Sequence, residues 1–318
     1  ASDPLRGLFL IMIIAYLFIV TLRLNIKSVN YFNQDTFKIM SKETFLLLNN
    51  IFFIAAALTV LVGTIYPLLS EIIYNSSVSI GAPYYNFAFN LLMAPIILLM
   101  AFAPQIKWGE HKKKNNQTFY IIAISIVITA IVYYLLGNIF FALSVFITMP
   151  LFIKSFLVFF KKVSKDRSFF AQWLAHLSIG LFIVAAVYTE QFDYEKNITF
   201  EKGDSSEIVL DEGTSLLLEN IKDGNISNHQ KISVDLIVVE KDLKFSLSPS
   251  KNIYQPSGQV TNEVSTVNRY FDQYYATISM IESDKVSINL VFKPFINLLW
   301  ISSILLVFSI FLSIIKRK

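Results

Sequence analysis

The chain has 318 residues, 54% of them hydrophobic and only 16% charged. Soluble domains carry roughly 25% charged residues, and the apolar excess here is gathered into blocks, which excludes one soluble core and indicates an integral membrane protein. The absence of Cys excludes a disulfide framework and thiolate chemistry. The net charge of +4 hides a partition: 17 acidic and 10 basic residues lie in 189–293, against 6 acidic and 17 basic elsewhere. Such a split reflects membrane topology and gives no reason to expect nucleic-acid binding.

A bilayer core about 30 Å thick takes roughly 20 mostly apolar residues per helix. Segments of that kind lie near 7–23, 45–69, 87–103, 118–136, 139–160, 169–188 and 295–315. The expected architecture is a polytopic α-helical membrane protein of about seven transmembrane helices, with a β-rich extracytoplasmic domain inserted before the last. Its parts are a membrane domain over 1–188 with six spans, a β-rich domain over 189–293, and a final span with its tail over 294–318. The chain opens at Ala1 and enters its first span almost at once, with Arg6 at the edge, so it reads as a piece of a longer protein. Lys and Arg collect in loops 24–44, 104–117 and 161–168 and in the tail, whereas loop 70–86 has none. By the positive-inside rule these loops and the tail are cytoplasmic, and the N-terminus, loop 70–86 and 189–293 face outward.

Ahead of the second span, Ser41 or Thr44 suits a helix cap and Glu43 the N-terminal dipole. Asn49 and Asn50 in that span read as structural polar groups, and Gly63, Thr64 and Pro67 loosen its outer end. The Gly81-Ala-Pro-Tyr-Tyr-Asn86 stretch reads as a rigid turn with paired aromatics, suited to an interfacial anchor or the rim of a site. In the fifth span Lys154 is placed to snorkel toward an interface.

The sixth span carries His176, with Gln172, Trp173, Gly180 and Ile183 on its face at helical spacing. The face joins a nitrogen ligand, an aromatic wall and a glycine with room for a flat group. Imidazole is a standard axial ligand of haem iron. A neutral His hydrogen-bonded to a neighbouring helix is the alternative. The other imidazoles, His111 in a Lys-rich loop and His229 in the polar loop Asn225–Lys231, are not placed to pair with it.

Residues 189–293 alternate apolar and polar side chains over Ile232–Val239, Tyr274–Ile281 and Val286–Phe292, the mark of half-buried strands. Glycines and prolines punctuate them. The expectation is a small β-sandwich or open barrel that acts as a docking or positioning surface.

In chain order, Ala1-Ser-Asp-Pro-Leu-Arg-Gly7, Ser41-Lys-Glu-Thr-Phe-Leu-Leu-Leu-Asn-Asn50, Gly63-Thr-Ile-Tyr-Pro-Leu68, Gly81-Ala-Pro-Tyr-Tyr-Asn86, Met93-Ala-Pro95, Ala175-His-Leu177 and Lys293-Pro294 together resemble the C-terminal half of the CcmF family. This is the cytochrome c haem lyase subunit of the bacterial and mitochondrial maturation pathway. The resemblance implies a multi-pass inner-membrane protein that receives haem from the chaperone CcmE. It joins that haem to CXXCH motifs of apocytochrome c beside a CcmH-type subunit. It also implies that His176 ligates a haem b, as a structural or electron-relay group, with its partner His in the other half of the protein. Trp173 and Gly180 would then line the haem. Ser178 stands where the family usually has Gly after Ala-His-Leu, and the last span lacks the Gly pair that commonly follows its Trp. The resemblance implies a part of a haem lyase rather than a fragment active alone. A transporter or channel subunit is the rival from another class, but it would need paired ionisable groups or broken helices along a path. A sensor would need an output module, which the tail Lys316–Lys318 does not offer.

Overall fold

A computed structural model describes residues 41–76, 78–102, 116–161, 167–201, 207–211, 214–226, 228–240, 243–255, 258–282 and 285–314, with isolated positions in the first segment. The expected first span, 7–23, falls almost wholly outside the described residues. Six helices among them are long and apolar enough to cross a membrane. The chain divides into two compact units, Ala1–Asn115 and Asn116–Lys318.

The first unit contains α1 (Lys42–Tyr74) and α2 (Ala82–Phe102). Ser41 is the cap of α1: its backbone is extended, and its Oγ accepts from Thr44 N at 3.4 Å. At 33 residues α1 is about 50 Å long, well over a hydrocarbon thickness. It runs through Pro67 to Tyr74 and ends at Asn75, which is left-handed with φ 48°. The connection between α1 and α2 is therefore confined to 75–81, and the expected rigid turn at 81–86 is instead, from Ala82 on, the first turn of α2. Pro83 is tolerated there because the first-turn N–H groups of a helix lack intrahelical partners anyway. Tyr84 and Tyr85 meet edge to face at 5.3 Å and close over Gly63 of α1. A Cβ on Gly63 would lie 2.7 Å from the Tyr84 ring and 2.9 Å from that of Tyr85. Tyr84 Oη donates to Thr59 O at 3.2 Å. The paired aromatics thus clamp two helices together.

The second unit opens with α3 (Asn116–Leu136), α4 (Ile139–Lys161) and α5 (Arg167–Phe192), each packed on the next. The α3–α4 turn is Gly137, at φ +67°, then Asn138, whose Oδ1 accepts from Phe141 N at 3.0 Å. A left-handed glycine ends one helix and a side-chain cap starts the next. Lys154 of α4 is buried, where snorkelling was expected. The last helix, α6 (Ile296–Ile314), packs on α5. Its buried positions are Ser302 and Ser309, and α5 buries Ser178, Gly180, Ala185 and Thr189. Small residues let helices approach closely where no hydrophobic effect drives them together.

Between α5 and α6 lie ten strands: β1 (Tyr194–Glu201), β2 (Glu207–Asp211), β3 (Thr214–Ile226), β4 (His229–Glu240), β5 (Leu243–Leu247), β6 (Ser250–Tyr254), β7 (Val260–Glu263), β8 (Ser265–Arg269), β9 (Asp272–Ile281) and β10 (Lys285–Lys293). They form an antiparallel sheet of order β1-β10-β9-β8 and a second of order β2-β3-β4-β6-β7, with β5 on β4 beside β6. Inner faces of both sheets share one core: Ile198, Phe200, Leu216, Val234, Leu236, Val238, Tyr274, Ile278, Ile288 and Leu290 are buried among others. This is a sandwich, not a barrel. The expected alternation holds in β4, β9 and β10, where every second residue turns inward. Tyr274 Oη donates to Glu240 Oε2 at 3.2 Å, and Arg269 pairs with the other Glu240 oxygen, tying the sheets together. Burial, with Tyr194 and Glu240 nearby, pushes the Tyr274 phenol far above its ordinary pKa.

The sandwich is spliced into the helix pair. Strand β1 starts directly after α5, β10 runs directly into α6, and β1 and β10 are paired neighbours from Tyr194↔Phe292 onward. At the seam Thr189 Oγ1 donates to Pro294 O at 2.7 Å, Phe295 N donates to Asp272 Oδ1 at 2.9 Å, and Asn138 Nδ2 donates to Gln191 Oε1 at 3.1 Å. Rings of Phe141, Tyr188, Phe192 and Phe295 surround these bonds, with centroids 4.6–5.8 Å apart. Thr189→Val keeps the shape but leaves the buried Pro294 carbonyl without its donor. We expect a loss of about 1–3 kcal/mol, read as a lowered melting temperature, while Thr189→Ser stays close to wild type.

Glu263 holds the far side of the sandwich. Its carboxylate accepts from Ser250 Oγ at 2.6 Å, Lys231 Nζ at 2.9 Å and Asn252 Nδ2 at 2.9 Å. The Ser250 bond first, then those of Lys231 and Asn252, lower its pKa from 4.5 to about 2. Because folding lowers this pKa, the stabilisation is complete above about 4.5 and is lost as pH falls toward about 2. Melting of the strand circular-dichroism signal should therefore decline through that window. In Glu263→Gln the decline should be shallower, starting from a lower melting temperature at neutral pH.

Candidate functional site

Most of the hydroxyl groups inside the described spans are satisfied within their own helices, the buried Thr129 Oγ1 of α3 being an exception that has no partner among the described residues. Thr59, Thr64, Ser125, Thr148, Ser178 and Ser303 each donate to the carbonyl four residues back, at 2.7–2.9 Å. This is the usual way a polar side chain is accommodated in lipid, and it assigns them no chemistry. His176 differs because it has two ring nitrogens and its helix satisfies one.

His176 lies in the interior of α5 and is half-buried. Its Nδ1 is 2.6 Å from Gln172 O. A carbonyl oxygen only accepts, so Nδ1 carries the proton, and the tautomer with Nδ1–H has its lone pair on Nε2. A carbonyl or carboxylate on the far nitrogen is the arrangement that orients metal-ligating histidines. The expected alternative, a bond to a neighbouring helix, is replaced by a bond to the same helix one turn back.

The other residues of the face behave differently. Gln172 is exposed and contributes its backbone carbonyl. Trp173 lies between two rings, Phe159 of α4 at 4.7 Å and Phe170 at 5.6 Å. Its Nε1 is buried and has no partner among the described residues, an unusual condition for an indole N–H. Gly180 is buried, and a Cβ there would lie 2.7 Å from the Phe152 ring. The flat group admitted by this glycine is thus the Phe152 side chain. Phe152 and Phe159 were not singled out in the sequence, although their spacing of seven residues puts both on one face of α4.

The remaining imidazoles stay apart from His176. His229 begins strand β4, correcting its expected place in a loop. Its ring is 5.0 Å from Tyr254, and its Nδ1 is 3.0 Å from Asn228 Oδ1. His111 lies outside the described residues. Among those described, no three His, Asp or Glu side chains gather into a metal cluster. Among the described residues, the arrangement therefore fits a group held by one imidazole, that of His176.

No protein-family model matches the chain. It is 27% identical over 343 aligned residues to the cytochrome c-type biogenesis protein CcmF of Haemophilus influenzae, covering 100% of this chain and 52% of that protein. With CcmF of Escherichia coli the identity is 26%, over 96% of this chain and 49% of the relative. With CycK of Rhizobium meliloti it is 26%, over 94% and 47%. A solved structure named Cytochrome c Heme Lyase CcmF superposes with a TM-score of 0.72 over 88% of this chain and 46% of the other, at 17% identity, and so shares the fold. The chain spans about half the length of the curated relatives it matches, and it is a relative of the CcmF and CycK cytochrome c-type biogenesis proteins.

Proposed function

We propose that this chain is the C-terminal part of a multi-pass inner-membrane protein of cytochrome c biogenesis, and that it holds a haem b in the membrane through His176 Nε2. The observation that carries the reading is the Nδ1–H bond to Gln172 O, which leaves Nε2 as the free ligand atom. A haem bound there would supply one-electron chemistry, the kind that a role as a structural or electron-relay group calls for.

The chain's own residues do the rest. The α5 carbonyl fixes the imidazole tautomer and ring orientation. Trp173, wedged between Phe159 and Phe170, forms an aromatic wall and offers a buried N–H to a polar edge of the bound group. Gly180 seats Phe152 and so holds α4 close to α5 beside the imidazole. Residues 1–188 form the membrane domain in this reading, 189–293 the periplasmic domain, and 294–318 the final span with a cytoplasmic tail, as loop charge indicates. The sandwich then positions the partners: the haem chaperone CcmE, apocytochrome c and a CcmH-type subunit. A second ligand to such a group would come from the other half of the protein.

The full-length protein carrying His176→Ala should lose its b-type absorption bands while keeping membrane insertion and the strand signal of the sandwich. Added imidazole should restore the bands, since the ring is replaced by space at the same site. A b-type spectrum unchanged in His176→Ala would remove the ligand assignment.

A further inference from the structure

The β8–β9 turn departs from the residue preferences of its own geometry. Arg269 pairs with Asp272, leaving Tyr270 and Phe271 as the two central residues. Tyr270 is left-handed, with φ 49°. Two-residue hairpins with a positive φ at their first central position take Gly there, with Asn or Asp next in preference. A bulky aromatic there stores steric strain, and such outliers concentrate where function maintains them. Packing within the domain does not account for the choice, because Tyr270 is 84% and Phe271 48% exposed.

Hydrogen bonds fix where this turn sits. Asn297 N donates to Phe271 O at 3.0 Å, and Asn297 Nδ2 donates to Tyr270 O at 3.0 Å. Asn297 belongs to the first turn of α6. That helix has 19 residues, about 28 Å, which just matches a hydrocarbon core, so its first turn lies at the boundary of that core. The turn is held at the same level. Phe271 is also stacked on Phe295 at 6.1 Å with ring planes 9° apart, continuing the seam rings outward. Exposed aromatic rings at this height match the composition of an interfacial aromatic belt.

We propose that the Tyr270–Phe271 turn is a lipid-interface anchor, seated among the headgroups, which pins the height of the sandwich over the bilayer. It requires that α6 crosses the membrane and is independent of what His176 binds.

This chain contributes no Cys, so once any cysteine in the rest of the protein is replaced by serine, labelling at a single introduced Cys is specific. A nitroxide on Tyr270→Cys in the full-length protein, reconstituted in nanodiscs of phosphatidylcholine and phosphatidylglycerol, is compared with one on Asn228→Cys. Asn228 lies at the opposite end of β4 from Glu240, the residue that touches Arg269 and Tyr274, about 35 Å away. Power-saturation EPR should show the 270 label more accessible to oxygen than to a water-soluble nickel chelate, with the order reversed at 228. Equal, water-like accessibility at both positions overturns the proposal. So does a 270 label shielded from both reagents, which would mark a protein contact. Phe271→Cys carries the same expectation and keeps the test decisive if Tyr270→Cys does not fold.

Discussion

The pairing of β1 with β10 at the ends of two packed helices is the constraint on which the second unit depends. Helices α5 and α6 pack side by side, and their chains cross into the sandwich as neighbouring antiparallel strands. A helix pair and a strand pair have different spacings, roughly 8–10 Å against 4.7–4.9 Å, so the transition needs a device. Small residues on both helices, Ser178, Ala185, Ser302 and Ser309, narrow the gap below the seam. At the seam Phe295 adopts a positive φ of 57°, and its N–H is taken by Asp272. The left-handed residue redirects the chain from strand to helix in one step, and the neighbouring carboxylate satisfies a donor at the start of α6. The domain is thereby joined to the membrane helices by two chain crossings, a buried Thr189–Pro294 bond and a ring cluster, where a flexible linker would leave its orientation free.

The same helix that anchors the sandwich carries His176, and this links the two halves of the proposal. Gly180 of α5 admits Phe152, which brings α4 close; one turn back lies His176, and a turn further the Gln172 carbonyl holds its imidazole. Both features use the backbone of α5 as the reference frame. A change in the sandwich's attachment at Thr189 would therefore act on the imidazole through a single continuous helix.

How far the sequence revealed this depends on the range of the physics involved. Strands β4, β9 and β10 were legible because period-two alternation is local and each has one buried face. The short strands β5 to β8 were not, because their pairing is decided by partners far along the chain. His229 looked like a loop residue in a polar run, yet register with Ile226 and Tyr254 makes that run strand. The turn at 81–86 was misread because Gly and Pro usually break helices, whereas Pro83 falls in a first turn where no donor is missed. His176 stood out because an ionisable group in a span is costly. Its tautomer did not, since that rests on a side-chain rotamer meeting a carbonyl one turn back. The Phe152 ring over Gly180 was equally hidden, being a contact between two helices.

Distance along α5 separates two roles that a haem-handling protein combines. His176 lies about 20 Å along the helix from Thr189, where the sandwich begins. On the proposed reading, a group on His176 Nε2 sits within the hydrocarbon layer, well removed from any surface the sandwich presents to a folded partner. Covalent attachment needs reacting atoms roughly 3–3.5 Å apart, so on this reading a group on His176 would not be the one being attached. On the proposed reading such a group would suit an electron-relay role better than a direct part in bond formation. On that reading the sandwich, joined to the helices at its seam, would set where a partner protein stands relative to the relay.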